Sequence, residues 1–74
     1  MANIDRLLRD AARYLGDRPK DRDILLENAL LRIADLHTQD RLDAPAIARR
    51  LRDSYGADSP FRRVDFIQFV IDRI

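Results

Sequence analysis

Ile4-Asp5-Arg6-Leu7-Leu8-Arg9-Asp10-Ala11-Ala12-Arg13-Tyr14-Leu15-Gly16 is the stretch that decides the fold class. Ile4, Leu7, Leu8, Ala11, Ala12 and Leu15 recur at intervals of three and four, which lines them along one side of a helix. Asp5, Arg6, Arg9, Asp10 and Arg13 fall on the other side. The Asp5–Arg9 and Arg6–Asp10 pairs sit one turn apart, each worth about 0.2–0.5 kcal/mol to a helix. Asn3 can cap the start. Gly16 ends the run, because glycine enters the left-handed conformation after a last turn without steric cost. The spacing predicts a helix over about 3–15.

Three more helices follow by the same logic. Asp17-Arg18-Pro19-Lys20-Asp21-Arg22-Asp23 is a polar connection in which Pro19 bars helix continuation. Asp21 or Asp23 caps a second helix over about 22–38. Asp43 caps a third over 44–55, with Pro45 in the first turn, where its missing N–H is not needed. Its apolar stripe is Ala44, Ile47, Ala48, Leu51 and Tyr55, and Gly56 stops it. Ser59-Pro60 is an N-cap serine followed by proline at the first helical position, which starts a fourth helix over 60–74. The expectation is an all-α, compact four-helix domain without strands, one domain spanning residues 1–74.

Size and composition narrow the function. A chain of 74 residues buries roughly 60% of the surface its unfolded form exposes. Cores of this size supply about 3–5 kcal/mol and gain from self-association. Cysteine is absent, which excludes disulfides and thiolate metal sites and fits a reducing cytoplasm. Fourteen basic residues face 13 acidic ones, for a net charge of +1. A nucleic-acid binder usually carries a stronger basic excess, since phosphate neutralisation drives its affinity. Lys20 is the one lysine and Glu27 the one glutamate, an Arg/Asp bias that suggests a GC-rich bacterial or phage genome. No apolar run exceeds three residues, against the roughly 20 needed to span a bilayer. Met1 to Arg6 shows no signal-peptide pattern. A soluble, cytoplasmic protein without membrane contact is expected.

Chemistry finds little purchase. His37 is the single histidine, and no fixed carboxylate spacing completes a metal site around it. Ser54 or Ser59 with His37 and an aspartate would make a triad on paper, but so short a chain lacks the bulk for an oxyanion hole and a closed pocket. His37 reads as a helix-end residue, where partial positive charge suits the dipole. The aspartates of the Asp17–Asp23 segment lack the glycine and distal glutamate of a calcium loop. Asp58-Ser59-Pro60 resembles the Asp-Ser-Leu segment that carries phosphopantetheine in acyl carrier proteins. Pro60 stands where that family has leucine, the chain lacks the strong acidity of carriers, and Ser59 reads as a helix cap. No catalytic, cofactor-binding or metal residue is assigned, and the protein is expected not to be an enzyme.

The remaining signal lies where apolar residues defy the packing pattern. On the second helix Leu25, Leu26, Ala29, Leu30, Ile33, Ala34 and Leu36 share one wide face, while Ile24 and Leu31 project among Glu27, Asn28, Asp35 and Thr38. On the fourth, Val64, Phe66, Ile67, Val70, Ile71 and Ile74 share a face. Phe69 points away, among Asp65, Gln68, Asp72, Arg62 and Arg73, and Phe61 also lies outside the arc. Covering by a neighbouring helix is one explanation. The other is an apolar patch centred on Phe69, with Phe61, Ile24 and Leu31 as further anchors and Arg62 and Arg73 on its rim, that binds another protein or a second copy of the chain. The patch then makes the chain a homodimeric regulator or inhibitor that occludes a target's surface.

A second reading rests on Arg49, Arg50, Arg52, Arg62 and Arg63. Ala46-Ile47-Ala48-Arg49-Arg50-Leu51 resembles the first helix of a helix-turn-helix motif, and Arg62 and Arg63 then open a recognition helix at the major groove. That resemblance implies a DNA-binding transcriptional regulator. A solvated charged face, or an arginine surface that recognises an acidic protein partner, accounts for the same residues better. Phe66, Phe69 and Val70 make the recognition helix very apolar, and Asp58, Asp65 and Asp72 would face phosphates.

Overall fold

A computed structural model describes residues 4–16 and 24–74. It contains four α-helices: α1, Ile4–Tyr14; α2, Ile24–Thr38; α3, Ala44–Arg50; and α4, Val64–Ile71. There is no strand among the described residues, and the fold is the all-α four-helix domain expected. The caps assigned to Asn3, Asp21 and Asp23 and the break at Pro19 lie outside the described residues. Gly16 adopts φ 82° at the end of α1, as a glycine stop requires.

One cluster forms the core. Leu7, Ala11 and Ala12 of α1 meet Leu26, Leu30, Ile33 and Leu36 of α2, Ala44 and Ile47 of α3, Leu51, and Phe66, Ile67 and Val70 of α4. The four helices share this core because α4 packs against the other three, while α1 also lies against α2. Seven large side chains, Phe66, Leu30, Ile33, Ile47, Leu51, Ile67 and Val70, are fully enclosed. No charged or polar side chain is buried among the described residues.

The α2–α3 link turns at Arg41, whose φ of 54° is left-handed and unusual for a side-chain-bearing residue. His37 Nδ1 lies 3.0 Å from the Leu42 carbonyl oxygen. A carbonyl only accepts, so Nδ1 carries the proton and the ring pins this turn. Asp43 caps α3 as expected, its Oδ1 accepting from Ala46 N at 3.0 Å.

Two of the expected helices are interrupted. The third tightens into a 3₁₀ turn over Leu51–Asp53 and does not run to residue 55 as an α-helix. Ser59 caps only a 3₁₀ turn, Pro60–Arg62, its Oγ accepting from Phe61 N at 3.3 Å. Arg63 is then extended (φ −70°, ψ 128°) and α4 starts at Val64. Packing explains the break. In one continuous helix Phe61 and Phe66 would point about 140° apart. The extended residue between them brings Phe61 within 6.2 Å of Phe66 and 5.3 Å of Tyr55, ring centre to ring centre. Three aromatic rings close this end of the core.

Candidate interaction surface

The buried side of α2 consists of Leu26, Ala29, Leu30, Ile33 and Leu36. Opposite them lie Ile24, Asn28, Leu31, Asp35 and Thr38, all exposed. Ile24 is 59% exposed and Leu31 48%. Leu25, assigned by its rotation to the inner face, is 70% exposed, which corrects that assignment. It sits in the first turn of α2, where no other described helix covers it. Val64 fails in the same way: the first residue of α4 is exposed although the pattern places it inward.

Phe69 has a different environment. Its ring stacks on Tyr14 of α1 at 4.3 Å between centres and 28° between planes. The Arg73 guanidinium carbon lies 3.6 Å from the same ring centre. Two flat groups that close cannot share one face of a phenyl ring, so Tyr14 takes one side and Arg73 the other. Arg73 Nε also lies 3.9 Å from Asp10 Oδ2 of α1. Phe69 and Phe61 are half-buried and pack against the core. The helical pattern predicts that Phe69 points nearly opposite the apolar arc, which the structure corrects. Phe69 lies about 110° from the centre of the Phe66, Ile67 and Val70 arc, on a shoulder that α1 covers.

Beside that stack, Tyr14 Oη donates to Asp65 Oδ2 at 2.7 Å. Arg63 grips both oxygens of the same carboxylate, with Nε 3.0 Å from Oδ1 and Nη2 on Oδ2. The Arg63 hydrogen bond, then that of Tyr14, holds the Asp65 carboxyl down at about 2, against an ordinary 3.8. The same hydrogen bond from Tyr14 to Asp65 raises the tyrosine's pKa, since the bond is lost with the proton. This clasp ties the end of α1 to the start of α4. Sequence pattern alone did not indicate it, because Tyr14 and Asp65 are 51 positions apart. Asp10, Arg13, Tyr14, Phe69 and Arg73 line a shallow depression of about 320 Å³ next to it.

No protein-family model, curated protein or solved structure matches this chain.

The arginines divide by environment. Arg49, Arg50 and Arg52 are exposed on α3 and the 3₁₀ turn after it. Arg62 is half-buried, and its Nε is enclosed without a hydrogen-bond partner. Arg63 is held by Asp65. No group of three His, Cys, Asp or Glu residues suited to a metal ion occurs among the described residues. Among the described residues no helix is long and apolar enough to cross a membrane.

Proposed function

We propose that this chain is a small non-enzymatic protein-interaction module, a regulator that docks the outer face of α2 on a protein partner and occludes its surface. The observation that carries this reading is the exposure of Ile24, Leu25 and Leu31 on a helix whose inner face is already filled by five buried residues. Apolar side chains grouped on one helix and rimmed by Glu27, Asn28, Arg32 and Asp35 have the make-up of an anchor with a polar border. The surface is centred here and not on Phe69, because Tyr14 and Arg73 occupy both faces of that ring.

A DNA-reading role draws less support. The exposed residues of α4 include Asp65 and Gln68, with Asp72 just beyond, so two acids would meet phosphates, and Arg63 is already paired. The Arg/Asp bias is in keeping with a bacterial or phage source, and the lack of cysteine with a reducing cytoplasm.

The test places a photo-crosslinking residue at Thr38, on the outer face of α2, or at Gln68 of α4, in a bacterial cell. Thr38 should give adducts larger than the monomer, Leu31→Asp should remove them, and Gln68 should give few. Adducts that ignore Leu31→Asp, or none at all, would refute the docking face.

A further inference from the structure

The two shoulders of the α2 stripe carry opposite charge. Ile24, Asn28, Leu31 and Asp35 are spaced by four, three and four, the alternation of the two core positions of a two-helix seam. With Ile24 at 0°, Glu27 falls near 300° and Arg32 near 80°, one on each shoulder. They are five residues apart. That is the interval at which a shoulder residue of one helix meets the opposite shoulder of a parallel partner. In an antiparallel pair like shoulders face each other, and Glu27 never meets Arg32. Asn28 sits at a seam position, where a lone asparagine favours two parallel strands over other arrangements.

We propose that the outer face of α2 recognises a second copy of this chain, α2 against α2 in parallel. Ile24 and Leu31 fill the seam, and Glu27 pairs with Arg32 of the second copy on both sides. This rests on the reading of that face as a docking surface and names its occupant. Asp35 then faces its own counterpart, a like-charge contact that keeps the dimer weak and reversible.

Sedimentation equilibrium of the purified full chain over a concentration series tests the pairing. A monomer–dimer equilibrium is expected, and Asp35→Asn should tighten it. Glu27→Arg and Arg32→Glu should each loosen it by roughly three- to tenfold, while an equimolar mixture of the two variants should associate as well as the parent chain. All three positions are solvent-facing or half-buried, and helicity by circular dichroism checks that each variant folds. A chain that stays monomeric throughout, or a mixture that associates no better than either variant alone, would overturn the proposal. If the purified chain is monomeric while Thr38 crosslinks another polypeptide in a Leu31-dependent way, the self-pairing fails and the docking face stands.

Discussion

Leu31 on α2 and Phe69 on α4 both leave the buried arc of their helix, and they meet different fates. Leu31 lies about 160° from the centre of its arc and Ile24 about 180°, so no neighbour that packs on the inner face can reach around to them. Phe69 is about 110° from its own centre. A helix lying in the adjacent groove reaches that far, and α1 does so with Tyr14. How far an apolar residue strays from the arc therefore separates a shoulder that a neighbour can cover from a face that only a partner covers. Position along the helix matters too, since Leu25 and Val64 stray less than Leu31 but lie exposed in first turns that no other described helix covers.

Truncation should widen this contrast most. Phe69→Ala removes a half-buried ring, its stack on Tyr14 and its contact with Arg73, and should cost about 2 kcal/mol in chemical denaturation. If it costs nothing, the stack is not holding α1 to α4. Ile24→Ser with Leu31→Ser should leave monomer stability within about 0.5 kcal/mol, as exposed substitutions usually do. A loss near that of Phe69→Ala would mean the face is covered within the fold. Arg73→Gln should weaken the fold by about 0.5 kcal/mol, the scale of an exposed cation–π contact.

The smallest effect is electrostatic. Asp65 titrates near 2 when folded and near 3.8 otherwise. Its depressed pKa means that the clasp contributes in full above the unfolded value and is lost as pH falls through about 2. Carboxyl NMR titration should show the Asp65 pKa rising in both Arg63→Gln and Tyr14→Phe, and rising more in the first. An Asp65 pKa left unchanged by Tyr14→Phe would mean that Tyr14 does not hold α1 to α4 through this carboxylate.

Some of this was legible in the residues. The repeat of Leu7, Ala11 and Ala12, the Asp43 cap with Pro45, and the Gly16 stop are local features, and local geometry suffices to read them. Ile24 and Leu31 were legible as outliers for the same reason, since their angle is a property of one helix. The break at Arg63 was not. Ser59-Pro60 is a good helix start, but it cannot report that Phe61 and Phe66 must both reach Tyr55's end of the core.

By itself the sequence determined the helical class, the core-facing stripes of α1 and α3, and the outward direction of Ile24 and Leu31. Each follows from rotation and capping within a few turns of one segment. Only the tertiary structure decided that Phe69 is sandwiched, that Leu25 is bare, and that Asp65 joins Tyr14 to Arg63. Those outcomes depend on which other helix lies alongside, and a residue's own neighbours in the chain carry no record of that.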